Sequence, residues 1–222
     1  MEIRENLLNF LSKIPDNVQL IAVSKTKPNE AVMEAYDAGQ RVFGENKVQD
    51  LAAKAELLPH DIEWHFIGHM QTNKVKYIAP FVQMIHAVDS IKLLKEINKQ
   101  ALKNNRIIDC LLQFHIADED TKFGLTLSEA EEILSSSELE NLNNIRITGV
   151  MGMATYTDDI QQIRREFKHL IECMRILKTN YFSDKPYFAD VSMGMSGDYK
   201  IAIEEGSTMI RIGTKIFGAR NY

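Results

Sequence analysis

Gln19-Leu20-Ile21-Ala22-Val23-Ser24-Lys25 is an apolar run closed by a lysine, and its recurrence along the chain decides the fold. Aliphatic and β-branched residues in so short a run read as a buried strand. A helical pattern starts at Asn29, after Pro28, and another short apolar run follows it. The alternation continues to the end, with strand patterns at 20–25, 41–46, 63–68, 84–89, 107–116, 145–153, 187–193 and 209–214. The clearest intervening helix places Ile160, Ile163, Phe167, Leu170, Ile171, Met174 and Leu177 on one face. Ser90, and Thr126 with Glu129 as a capping box, mark helix starts, while Gly39 and Gly206 mark stops.

Strands that alternate with helices imply a parallel sheet with right-handed crossovers. Eight such units without a linker fit a single-domain α/β fold over residues 1–222, a closed (β/α)8 TIM barrel. Ile3, Leu7, Leu11 and Ile14 add an amphipathic helix over 1–15 that packs on the barrel. An open doubly wound sheet is the alternative, but no G-x-G-x-x-G follows the first strand.

The net charge of −5 argues against nucleic acid or an anionic membrane as the main partner. Cys110 and Cys173 lie far apart in apolar contexts and read as buried thiols of a reduced, cytoplasmic protein. No Cys/His cluster suggests a metal. Charges in the first turns distinguish the N-terminal helix from a signal peptide, and no segment has transmembrane length. With no long apolar surface stretch in the pattern, the expectation is a monomer.

A barrel places function at the C-terminal strand ends. Those ends read Lys25, Asn46, His65 to His69, Asp89, His115, Met151 to Met153, Ser192 to Ser196 and Arg211 to Thr214. A half-buried lysine has a lowered pKa, and its neutral amine forms Schiff bases with aldehydes. Lys27 is the rival to Lys25, but it precedes Pro28 and reads as a solvated loop residue. After the seventh strand, Ser192-Met193-Gly194-Met195-Ser196-Gly197-Asp198 supplies small residues whose amides converge on an anion, and Gly213-Thr214 does the same after the eighth. An aldehyde-binding lysine beside a phosphate cup describes pyridoxal 5′-phosphate (PLP). Arg211 shares a strand face with Gly213, so it faces either the pyridine nitrogen or an ion-pair partner at the rim. Against the ring nitrogen it would keep that atom unprotonated and the ring a poor electron sink. Asn46 reads as a hydrogen-bonding group beside the lysine or ring, or as a turn residue. His65 reads as a ligand group or a satisfied core histidine. Met151 reads as a cover for the ring or part of a barrel layer.

These residues resemble the YggS/PROSC family of pyridoxal phosphate homeostasis proteins from end to end. The motifs that carry the resemblance are Ala22-Val23-Ser24-Lys25-Thr26-Lys27-Pro28, Phe43-Gly44-Glu45-Asn46, Trp64-His65-Phe66-Ile67-Gly68, Ser192-Met193-Gly194-Met195-Ser196, and the run from Gly206 to Arg220. The resemblance implies a barrel related to the N-terminal domain of alanine racemase. It further implies a PLP Schiff base on Lys25 and a role in PLP supply and amino-acid balance; a carrier of this kind would hand PLP to apo-enzymes that depend on it. Two departures sit at the mouth: His69 stands where the family usually has proline, and His115 where it often has asparagine. Lys122 matches a family lysine in the loop after the fifth strand and reads either as the holder of a second, weaker PLP or, more simply, as a solvated loop lysine.

The first functional expectation is a non-catalytic PLP carrier. The alternative is an amino-acid racemase, which needs a second acid/base; alanine racemases take a tyrosine from a further domain of a partner subunit, and the chain stops at Tyr222, soon after the eighth strand. A phosphate-sugar isomerase without PLP leaves the buried lysine unexplained and offers only Asp89 as a carboxylate base.

Overall fold

The computed structural model describes residues 2–118 and 123–219. Eight parallel strands close into a barrel in sequence order: β1 (Gln19–Val23), β2 (Val42–Glu45), β3 (Glu63–Phe66), β4 (Met84–Val88), β5 (Ile108–Gln113), β6 (Ile145–Met151), β7 (Asp190–Ser192) and β8 (Met209–Ile212). Closure comes from β1 pairing with β8, Gln19 opposite Met209 through Ala22 opposite Ile212. The open-sheet alternative is therefore excluded.

The helices are α1 (Glu2–Leu11), α2 (Asn29–Asp37), α3 (Val48–Leu57), α4 (Ile91–Lys103), α5 (Leu127–Leu134), α6 (Ile160–Tyr181), α7 (Tyr199–Glu204) and α8 (Thr214–Phe217). α1 is the extra N-terminal helix; it buries Leu7 and Phe10 and packs against α2 and α8. Ser90 caps α4 by accepting from the Leu93 amide, and Thr126 with Glu129 forms a reciprocal capping box on α5. Gly39 and Gly206 follow α2 and α7 at φ 105° and 102°. One unit departs from the strand-then-helix pattern: β3 and β4 are joined by a 3-10 segment, Thr72–Tyr77, in place of an α-helix.

Alternate strand residues face outward and inward. Outward residues such as Phe43, Trp64, Ile85, Cys110 and Ile210 pack under the helices. Inward, Ile21, Val42, Met84, Ala87, Leu111, Met151 and Met209 form a separate apolar layer that fills the barrel. At the N-terminal end of the strands, Arg146 donates two hydrogen bonds to Asp109, at 2.7 and 2.9 Å. That end of a barrel carries stability, so the chemistry belongs at the opposite mouth. Cys110 and Cys173 are both buried free thiols, as their apolar contexts suggest. No helix among the described residues is long and apolar enough to cross a membrane, and no group of three metal-ligating side chains occurs there.

Candidate functional site

Lys25 stands half-buried two residues beyond β1, on the face that carries Ile21 and Val23 into the barrel. Its turn is held from outside the barrel. Ser24 extends the ladder by donating its amide to the Gly44 carbonyl, and its hydroxyl donates to Glu45 Oε1 at 2.7 Å. Lys54, on α3, donates to both the Ser24 carbonyl (2.8 Å) and Glu45 Oε1 (2.6 Å). Glu45 and Lys54 are buried, so this is an interior ion pair set directly behind the lysine turn. The next residue, Thr26, lies in the left-handed region at φ 65°, which a β-branched side chain rarely adopts. Lys27 is placed elsewhere: its Nζ donates to the Ala219 carbonyl at 2.7 Å.

The barrel seam brings the far end of the chain to this turn. A Cβ on Gly213 would lie 3.2 Å from the Val23 carbonyl oxygen, which puts the end of β8 against the end of β1. Thr214, exposed, opens α8 there. On the other side of β8, the Arg211 amide donates to the Gly194 carbonyl at 2.9 Å, so the loop after β7 runs beside the same mouth. Gly194 has φ 94°, and a Cβ there would meet Ala202 Cβ at 2.6 Å and Tyr199 Cα at 3.1 Å. Only glycine fits that backbone. Met195 is exposed and Ser196 half-buried; the Met195 amide donates to Asp198 Oδ1 at 2.6 Å. Across the mouth, Asn46 is half-buried after β2, and a Cβ on Gly68 would clash with its carbonyl at 2.3 Å, so the β2 and β3 ends approach closely.

Below the mouth lies a buried polar core. Arg211 donates from Nη1 to the Ser192 carbonyl (2.8 Å) and Oγ (2.5 Å), and from Nη2 to the Gly152 carbonyl (3.0 Å). Its hydrogen-bond partners are a hydroxyl and two carbonyls, so the rim ion pair weighed from sequence is not what holds it. Burial lowers its pKa to about 10, which leaves it cationic at neutral pH. Ser192 Oγ also meets His86 Nδ1 at 2.9 Å, and His86 Nε2 meets His65 Nδ1 at 2.9 Å. Burial pushes His65 down to about 3 and His86 well below the usual histidine range, so both rings are neutral.

His65 is thus an interior histidine with a hydrogen-bond partner. Met151 belongs to the apolar layer, while Met153, on the same face and nearer the mouth, is half-buried against it. At the rim His69 stacks on Phe123, centroids 4.4 Å apart, with Nδ1 3.8 Å from Asp89. His115 is half-buried nearby and, with Phe123 and Met153, lines a small recess. Lys122, Arg220 and Tyr222 lie outside the described residues. His86 escaped the sequence reading although it occupies the middle of an apolar strand, the same signal that singled out His65. A cleft of about 280 Å³ lies outside the barrel beside Lys27 and Lys54, but both amines are already engaged.

The model of the alanine racemase N-terminal domain family matches residues 1–221. The pyridoxal phosphate homeostasis protein of Aquifex aeolicus (strain VF5) is 42% identical over 205 residues, covering 92% of this chain and 88% of that one. Its namesake in Escherichia coli (strain K12) is 38% identical, covering 94% and 88%. Among solved structures, PipY of Synechococcus elongatus PCC7942 without PLP superposes with a TM-score of 0.90 at 36% identity, covering 97% of this chain and all of that one. Alanine racemase from Streptomyces coelicolor A3(2) shares the fold, with a TM-score of 0.80 at 14% identity, and this chain covers 58% of its length. On the extent of the family match and the identity to these relatives, the chain belongs to the alanine racemase N-terminal domain family, among the pyridoxal phosphate homeostasis proteins.

Proposed function

We propose that this protein binds PLP at the C-terminal mouth of its barrel, covalently through Lys25, and serves as an intracellular carrier and buffer of the cofactor. One observation carries the reading: the β1–β8 seam sets the Lys25 turn beside Gly213 and Thr214, with the Gly194 loop on the other side of β8. PipY, 35% identical, has also been solved with PLP bound, with a TM-score of 0.88.

The residues present fit the cofactor. Gly194 keeps the β7 loop free of a side chain where an anion's oxygens would approach backbone amides, and the buried Arg211 cation lies two residues before Gly213, on the same face. In this reading Lys25 holds the cofactor's C4′ carbon, while Gly194, Ser196, Gly213 and Thr214 hold its phosphate; Met195, whose amide is given to Asp198, shapes the loop. Arg211 serves the pyridine nitrogen, and Asn46 closes the side of the pocket. His65 and Met151 form its floor. Ser192 is fully buried against Arg211 and His86, so its role is to hold Arg211 rather than phosphate. When bound, PLP supplies an electrophilic aldehyde and an electron-withdrawing ring. Arg211 would donate to the ring nitrogen without giving up its proton, which disfavours transamination and suits either storage or racemisation. The carrier acts as a cytoplasmic monomer that releases PLP to apo-enzymes.

Borohydride reduction of the PLP-loaded protein followed by peptide mapping tests this. The pyridoxyl group is expected on Lys25 and absent from Lys25→Ala; a label confined to Lys27 or to another lysine contradicts it. Pyridoxal, which lacks the phosphate, is expected to bind far more weakly than PLP, and equal affinity would remove the phosphate cup.

A further inference from the structure

Four side chains form one uninterrupted hydrogen-bonded string through the barrel: Arg211 Nη1 to Ser192 Oγ (2.5 Å), Ser192 Oγ to His86 Nδ1 (2.9 Å), and His86 Nε2 to His65 Nδ1 (2.9 Å). Relative exposures are 4%, 0%, 0% and 2% in that order, so solvent competes for none of these bonds. β8, β7, β4 and β3 each contribute one member. A register shift in β4 between Ile85 and Val88 accompanies the turn of both His86 and Ala87 toward the interior.

The string has a direction. A guanidinium only donates, so Ser192 Oγ accepts from Arg211. The serine proton then needs an acceptor, and the other partner of Oγ is His86 Nδ1. A neutral imidazole with a bare Nδ1 carries its proton on Nε2, so His86 donates to His65 Nδ1. By the same rule His65 carries its proton on Nε2. The opposite order would leave the Ser192 proton without an acceptor and aim the N–H end of the His86 dipole at the buried cation. In a low-dielectric interior both effects are costly.

We infer that Arg211 locks His86 and His65 as Nε2–H tautomers, and that Ser192 and His86 in return act as positioning residues that fix the guanidinium from behind. With Nη1 held by Ser192 and Nη2 by Gly152, the cation is pinned to the β6–β7 wall before any ligand arrives. Its use in holding a pyridine nitrogen rests on the PLP reading above; the direction of the string does not.

The first test uses the unliganded full chain labelled with 15N-histidine, in which long-range 1H–15N correlation spectra report which ring nitrogen carries the proton. His65→Gln and His86→Gln assign the two signals among the six histidines. Both rings are expected as single Nε2–H tautomers. Ser192→Ala, a small change that keeps the strand, is expected to bring up the Nδ1–H form of His86, and Ser192→Thr to restore the Nε2–H form. Either ring as the Nδ1–H tautomer in the wild type, or a Ser192→Ala spectrum identical to wild type, overturns the inference. The second test titrates PLP. Ser192→Ala is expected to bind it about tenfold more weakly, the loss expected when a charged group loses one hydrogen bond, and to shift the cofactor's absorption band. Unchanged affinity and spectrum would remove the positioning role. A wild type that fails to bind PLP would sink the proposed function but leave the tautomer result standing.

Discussion

Lys25 owes its place to residues on the outer side of the sheet. Lys54 ties the Ser24 carbonyl to Glu45, and both partners of that ion pair are buried. Removing one partner of a buried pair strands the other's charge. Lys54→Met is therefore expected to destabilise the protein by about 3–5 kcal/mol, and the double variant Glu45→Gln/Lys54→Met by clearly less. Urea melts check this, and a single variant as stable as the double would contradict it. The two buried histidines make stability depend on pH. In the unfolded chain they titrate near 6.5, whereas folding holds His65 at about 3 and His86 below the usual range. Between these values the unfolded chain binds more protons, so their contribution is complete above about pH 6.5 and is lost as pH falls, by up to about 1.4 kcal/mol per unit for each ring. The wild type is expected to lose more stability than His65→Leu/His86→Leu when pH drops from about 7 to about 5; equal losses would contradict the assignment. The sequence marked Lys25 because a charge closing an apolar run needs a reason, and Arg211 because it shares a strand face with Gly213. It did not reveal what Arg211 touches, because Ser192, in β7, and Gly152, just after β6, lie 19 and 59 residues away.

At the level of elements, the loop after β7 depends on one backbone conformation. Gly194 combines φ 94° with neighbours that leave no room for a Cβ. Gly194→Ala is expected to cost about 1–3 kcal/mol from the backbone strain alone, and to weaken PLP binding more than pyridoxal binding. Calorimetric titration with both ligands measures this, and equal weakening would move the phosphate away from the loop. All eight strands were legible from their short apolar runs, and the Ser90 and Thr126 caps from side-chain chemistry. The strand ends were not: the pattern at 20–25 shortens to Gln19–Val23 and that at 187–193 to Asp190–Ser192. Ser24 and Lys25 continue the first pattern past the end of its strand, and Tyr187 to Ala189 start the seventh before its strand begins. The 3-10 link between β3 and β4 and the shifted register in β4 also leave no periodic trace.

Across the whole molecule, barrel closure brings together strand ends almost two hundred positions apart. Seen from the sequence, Lys25 and Gly213 were two separate signals; the pairing of β1 with β8 makes them neighbours. The mouth they share is rimmed by His69, Phe123 and Met195, all exposed, so a bound cofactor would meet solvent there. An exposed cofactor lacks the dry, preorganised surroundings that lower barriers. The PLP-loaded protein is accordingly expected not to racemise alanine above the level of a Lys25→Ala control, as measured by chiral chromatography; turnover that depends on Lys25 would favour an enzyme. If the Lys25 amine and the two glycine loops grip one PLP molecule, a crystal structure of the PLP-bound protein will show it. Continuous density is expected from Lys25 Nζ to a ring beside Arg211, with the phosphate between the Gly194–Ser196 and Gly213–Thr214 backbones. Density for PLP on another lysine, or a phosphate seated away from both loops, would contradict it.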